Sequence, residues 1–226
     1  MTRETLDRQI QHIQDEVLLL GSMVEQSMLN AVNALKRRDI ETSKTIFDED
    51  RIINEKRYAI ENAILILIAT QQPIAHDLRK LTAMLELITE LERMGDYAKG
   101  IAKVTIHLKD VDIAIPTREF DQMANLAVSM LHRALGAFVS ENFNQASQIP
   151  KEDEEVDALY EQIYHKLINA MIANPSTIDP TNQLMWVAHN LERMADRVTN
   201  ICERTVFIAT GELMEMDINE DSEDED

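Results

Sequence analysis

Cysteine is almost missing from this chain. One thiol, Cys202, in 226 residues can form no internal disulfide and supplies no thiolate set, so a secreted disulfide scaffold and a Cys-rich zinc centre are both excluded. Glycine and proline number five each and aromatics make up 4%, too few for a turn-rich β architecture. The residues that dominate instead, Leu, Ile, Ala, Glu and Met, favour helix, and an all-α chain is expected. Long apolar runs are lacking as well. The longest, Ala63 to Ala69 (AILILIA), falls far short of the roughly 20 residues that span a bilayer. The opening MTRETLDRQI has no apolar h-region, so a cytoplasmic protein without membrane insertion is expected.

Positive charge is scarce too. Lys and Arg total 22 against 41 Asp and Glu, a formal net charge of -19, and no basic cluster accompanies aromatic residues. Phosphate repulsion excludes nucleic acid as a direct partner. The chain contains no G-x-x-x-x-G-K-[ST], no G-x-S-x-G, no C-x-x-C and no E-x-x-H pair. Nucleotide hydrolysis, serine hydrolysis, zinc binding through thiolates and di-iron oxidase chemistry therefore lose their usual signatures, and no catalytic residue or enzymatic activity is predicted.

What is present is helical periodicity, divided by caps and prolines into six long segments. The first runs from about Thr5 to Arg37. The second follows Asp39 as N-cap to about Thr70, and the third starts near Pro73 as a first-turn proline and reaches about Leu108. Lys109 to Pro116 (KDVDIAIP) breaks the period and reads as a connector. A fourth helix is expected over Thr117 to Ser140, a fifth from Asn142 or Pro150 to Ala173, and a sixth from about Asp179 to Thr210, stopped by Gly211.

The two sets of three are copies of each other. ELERMGD at 90–96 returns as NLERMAD at 190–196, and an offset of 103 pairs Met28 with Leu131, Ala31 with Ala134, Asp39 with Asn142 and Asp50 with Asp153. The chain thus reads as two tandem antiparallel three-helix bundles related by internal duplication, residues 1–110 and 116–211, followed by an acidic, disordered tail at 212–226.

The third helix of each unit carries an apolar stripe, in the first copy Leu81, Met84, Ile88, Leu91, Gly95, Ala98 and Ala102. Glu92 and Asp96 lie about 40° apart on its flank, where their carboxylates can meet. Like charges at this spacing oppose the helix by roughly 0.2–0.5 kcal/mol, so a compensating partner is expected. Lys99 and Lys103 offer a salt-bridge ladder in the first copy. In the second, the stripe His189, Glu192, Asp196, Thr199, Asn200, Glu203 has no cation. On the fifth helix Asp153, Asp157 and Glu161 share one flank ahead of His165, and the matching flank of the second helix has Asp50 and Asn54. If second and third helices adjoin, Asp50 stands near Glu92 and Asp96, and Asp153 and Asp157 near Glu192 and Asp196. Three or four oxygen donors on one surface suit magnesium, manganese or iron. The remaining conspicuous residues read as packing: methionines as core filler, Cys202 as a small buried residue and Trp186 as an anchor.

At LERMGDYAKGIAK and LERMADRVTNICE, with Asp77-Leu78-Arg79 and the doubled three-helix unit, the sequence resembles the PhoU family of phosphate-uptake regulators over almost its whole length. The resemblance implies a cytoplasmic, homodimeric accessory protein. Such a protein links the ATPase subunit of a phosphate ABC transporter to a phosphate-sensing histidine kinase and holds phosphate-starvation genes off when phosphate is plentiful. It also implies metal faces able to take iron, zinc, magnesium or manganese, which here nominate Glu92, Asp96, Glu192, Asp196, Asp153, Asp157 and Asp50. Tyr97 and Arg197 stand where the family often has His, and Asn54 where an acid is expected. Two other classes remain open on the residues alone: a carboxylate-bridged helical metalloenzyme, and a metal-free helical adaptor.

Overall fold

The computed structural model describes residues 3–216, which form helix, turn and coil with no strand among them. The helices are α1 (Arg3–Arg37), α2 (Ile40–Gln71), α3 (Ala75–His107), α4 (Thr117–Ser140), the single-turn α5 (Phe143–Ala146), α6 (Asp153–Ala173) and α7 (Ile178–Thr210). Helices α1–α3 make one bundle and α4, α6 and α7 the other. None of the described helices is long and apolar enough to cross a membrane. The expected acidic tail lies outside the described residues from 217 onward. Its first part, 212–216, is coil that runs back along α7, where Met216 N–H donates to Glu203 Oε1 at 2.8 Å.

Repetition is visible in the caps. Arg38 takes a left-handed conformation (φ 54) and Asp39 then accepts from Thr42 N–H at 3.0 Å. In the second unit Glu141 (φ 50) precedes Asn142, which accepts from Gln145 N–H at 3.1 Å. Each pair satisfies an orphan donor at the start of a second helix. Thereafter the copies differ. Whereas α2 runs unbroken, Pro150 can donate no hydrogen bond, so the second unit has one turn of helix, a 3₁₀ turn over Ile149–Glu152 and then α6.

Pro73 does not open α3. The helix begins at Ala75, and Pro73 instead follows Gln72, the left-handed C-cap of α2 (φ 49), whose N–H donates to Ile68 O at 3.2 Å. The proline is a stop for the preceding helix, a common use just beyond a C-cap. Gly211 closes α7 as expected (φ 82, N–H to Phe207 O 2.8 Å). The connector between the units is non-helical but held, because the Arg38 guanidinium donates to the carbonyls of Leu108 (3.2 Å), Val111 and Ile113 (2.7 Å).

Every residue of the α3 stripe is buried, and the buried apolar side chains of both units form one continuous cluster. Two antiparallel seams join them. Along α1–α4, Gln14 meets Val139 O (3.3 Å), Glu25 meets His132 (3.3 Å) and Lys36 meets Asp121. A Cβ on Gly21 would come within 2.4 Å of Leu135 Cδ1. Along α3–α7, Glu86 pairs with Arg204 (2.5 Å), Glu90 with Arg197 (3.1 Å) and Asn200 (3.3 Å), and Arg193 lies over the Tyr97 ring at 5.4 Å. Trp186, 43% exposed, spreads its indole over Gly100, where a Cβ would approach to 2.1 Å.

The glycines predict different outcomes at the two seams. Leu135 is buried and has nowhere to retreat, so Gly21→Val should lower stability by about 1–3 kcal/mol in chemical denaturation. Trp186 can swing outward. Gly100→Val is therefore expected to shift the emission of this single tryptophan to the red, with a smaller loss of stability.

Candidate functional site

The nominated carboxylates gather at two equivalent seams, because α2 packs on α3 and α6 on α7. Their apolar neighbours hold the helices close. Gly95 leaves room for Ile53, which a Cβ would meet at 3.3 Å. At the equivalent places the second unit has Ala195 and Val156, which moves one methyl across the seam and keeps the volume.

In the first unit Asp50 is buried, 5% exposed. It accepts from Lys99 Nζ at 2.7 Å and from Asn54 Nδ2 at 3.0 Å, both on Oδ2. The same ammonium is 4.0 Å from Asp96 Oδ1 and lies over the Phe47 ring at 5.3 Å. Burial raises the pKa of Glu92, reinforced by Asp96 and Asp50 and opposed by the Arg57 charge. Burial and Asp50 likewise raise Asp96 against Lys99. Hydrogen bonding to Asp50 holds the Lys99 ammonium above its usual range. Thus Asp50, Glu92 and Asp96 do come together, around a cation that belongs to the chain.

The second unit brings Asp153, Asp157, Glu192 and Asp196 together with no lysine among them, while Arg197 and Arg193 act on Asp196. Burial pushes the Asp153 carboxyl up to about 7, with Asp196, Asp157 and Glu192 adding to the rise. Its Oδ1 is buried and has no hydrogen-bond partner. Glu192 is raised by burial and by Asp196. His189 Nδ1 lies 3.1 Å from the buried Glu192 Oε2 and opposes the rise. Asp196 is raised by burial and Asp157, and Asp157 by burial and Glu161. Charged carboxylates at this seam repel one another, Asp153 and Glu192 being half-buried and Asp157 and Asp196 exposed.

The second seam offers carboxylate oxygens, with Asp153 Oδ1 and Glu192 Oε2 buried, and an imidazole at the edge, the donor types a hard cation prefers. These donors do not converge: among the described residues no group of three or more His, Cys, Asp or Glu is arranged to hold a metal ion. The first seam does not fit, because Lys99 fills it. His165 stays apart, edge-on to Tyr164 at 5.8 Å, whereas His189 joins the cluster.

Sequence reading passed over two members of this region. Tyr160, 6.4 Å from the His189 ring, is signalled only by its helical spacing, seven residues after Asp153 and three after Asp157. Glu90 was invisible as a partner of Arg197, since that contact exists only once α3 crosses α7. The same crossing explains Tyr97 and Arg197: these repeat mates hydrogen-bond to each other, Arg197 Nε to Tyr97 Oη at 3.3 Å. Cys202 is buried, its thiol pushed up to about 12 mainly by that burial, which makes it unreactive.

This doubled arrangement has known counterparts. The PhoU domain matches twice, at residues 17–105 and 120–205. The chain belongs to the PhoU family. The phosphate-specific transport system accessory protein PhoU homolog of Clostridium acetobutylicum is 35% identical over 97% of this chain and 100% of its own. The accessory protein PhoU of Escherichia coli K12 is 30% identical over 90% of this chain and 85% of its own. Among solved structures, the phosphate transport system regulatory protein PhoU from Streptococcus pneumoniae superposes with a TM-score of 0.86 at 33% identity, covering 92% of this chain and 99% of that one. PhoU from Pseudomonas aeruginosa gives 0.85 at 26%, covering 91% and 99%. The family's tandem architecture is the one observed here.

Asp153 links this seam to pH. Its folded-state pKa of about 7 lies above the ordinary 3.8, so between those values the folded chain holds a proton that the unfolded chain releases. Stability therefore falls as pH rises from about 4 to about 7. In EDTA, Asp153→Asn is expected to be more stable than the parent at pH 8, by about 1 kcal/mol after solvent screening at a half-buried carboxylate. That advantage should vanish below pH 4; thermal melts across the range measure it.

Proposed function

We propose that this PhoU-family chain is an accessory regulator of a phosphate-specific transport system. It associates in the cytoplasm, as a homodimer, with the ATPase subunit of a phosphate ABC transporter and with a phosphate-sensing histidine kinase, and keeps phosphate-starvation genes silent while phosphate is abundant. The observation that carries this reading is the match of the PhoU domain to both halves of the chain, with relatives bearing the accessory-protein name along nearly all of its length. The role is one of binding. It works by preferring one state of its partners to another, because a bound protein shifts an equilibrium only by as much as it discriminates between the two sides.

The second acidic seam supports a metal-capable face within this reading. Asp153, Asp157, Glu192 and Asp196 would hold a hard divalent or trivalent cation such as magnesium, manganese or iron, with water completing its shell. The cation would supply charge neutralisation to carboxylates that otherwise repel. What the chain itself supplies is a buried floor in Asp153, a flank in Glu192 and Asp196, and His189 set against Glu192.

Deleting the gene should switch on phosphate-starvation genes in high phosphate, by tenfold or so if repression depends on this chain. Tagged protein should recover the transporter ATPase and the kinase from solubilised membranes. Repression that survives the deletion would refute the regulatory role. Unchanged metal content in Glu192→Ala and Asp196→Ala proteins would remove the metal face alone.

A further inference from the structure

The duplication supplies an internal comparison for the outer surface. Under the offset of 103, Leu19, Ile52, Ala59, Ala63 and Ile66 correspond to Gln122, Glu155, Gln162, Lys166 and Asn169, and all ten are exposed. The second unit folds with polar residues at these places, so the bundle does not require the apolar ones. Ile52, Ala63 and Ile66 line the groove between α1 and α2, which opens into two hollows of about 380 Å³ and 550 Å³. Leu19 and Ala59 fall on the same two stripes by helical spacing. The equivalent α4–α6 groove keeps Leu126 and Leu159 but sets Gln122, Glu155 and Gln162 beside them, and the Lys166–Glu119 ion pair crosses it. Only the first unit offers an apolar rim.

We propose that the α1–α2 groove is the surface through which two copies of this chain associate, α1–α2 against α1–α2 about a two-fold axis at the groove's centre. This rests on the homodimer reading and gives it a place. A chain of net charge -19 meets its own copy most readily where charge is low. The two hollows are lined by one cation, Arg8, and one acid, Glu49, and the Lys56–Glu16 ion pair spans the groove between them. Their placement is self-complementary. Arg8 stands eight residues before Glu16, and Glu49 seven before Lys56 on the antiparallel neighbour, so the two lie at opposite ends, each about 11 Å from the bridge. A two-fold axis through that bridge sets Arg8 of one copy against Glu49 of the other, twice, as an isologous contact demands. The extent suffices as well. From Thr5 to Asn30 the groove runs about 38 Å, and two helices side by side are about 20 Å wide, on the order of 750 Å² from each copy against the roughly 800 Å² of a stable interface.

Sedimentation equilibrium on the full chain tests the surface. The parent should be a dimer. Ile52→Glu combined with Ile66→Asn, which installs the residue types of the second unit, should weaken association about a hundredfold with helical circular dichroism unchanged. Arg8→Glu and Glu49→Arg chains should each associate about tenfold more weakly alone and regain the parental affinity when mixed, a result that no contact within one chain can give. A parental dimer untouched by the double substitution overturns this inference and leaves the homodimer reading standing. Should the double variant lose its helix, the mixing experiment decides, and no regain on mixing overturns the inference. A monomeric parent overturns both, and if the double variant then also fails to recover the transporter ATPase or the kinase, the groove belongs to a partner protein instead.

Discussion

Helices α3 and α7 are each buried on two sides, against their own bundle and against one another. That double burial leaves only a narrow flank for charge, and the flank faces the second helix of the same unit. The acids of the LERM segments are therefore placed at the rim of the seam, Glu92 and Glu192 half-buried and Asp96 and Asp196 exposed, where the neighbouring helix contributes more acid. Their raised pKa values follow from burial before any specific neighbour acts, since burial comes first for Glu92, Asp96, Asp153, Asp157, Glu192 and Asp196 alike. A fully exposed helix with the same sequence would lose only a few tenths of a kcal/mol to such repulsion.

The duplication also accounts for the join between halves. Tyr97 and Arg197 occupy the same place in their units yet touch each other, as expected where two copies meet antiparallel about a local two-fold. Arg193 over Tyr97 and Arg197 with Glu90 then continue, with Arg204 and Glu86, a polar strip along the seam. Identical residues at positions 97 and 197 would have paired like with like. Divergence into a phenol and a guanidinium gives a donor and an acceptor instead.

Much of this was legible in sequence because it depends on local or periodic rules. The cap at Asp39, the buried stripe of α3 and the stop at Gly211 each need only a few neighbouring residues, and the repeat needs only the chain compared with itself. Pro73 was misread because a proline just before a helix and one just after a helix look alike in sequence, and only the left-handed Gln72 shows which helix it ends. Lys99 was recognisable as a helical neighbour of Asp96, but its stronger attachment to Asp50 depends on α2. The Arg38 clamp on residues 108–113 was not legible either, since a surface arginine gives no sign that it will reach three carbonyls of a distant connector. In each case the missing information was a contact across helices.

The asymmetry between seams bears on how a duplicated scaffold can serve regulation. A chain with two equivalent cation-dependent faces would respond to ions twice, and its stability would depend on both being filled. Here the Lys99 ammonium meets the charge at a seam where Asp50 is almost wholly enclosed, and a buried carboxylate deprived of its partner destabilises far more than an exposed one. The other seam, with Asp196 still exposed, can exchange its charge with the surroundings at smaller cost to the fold. The two copies of one motif thus differ in how their charge is met, and the core they share keeps a change at either seam from being purely local.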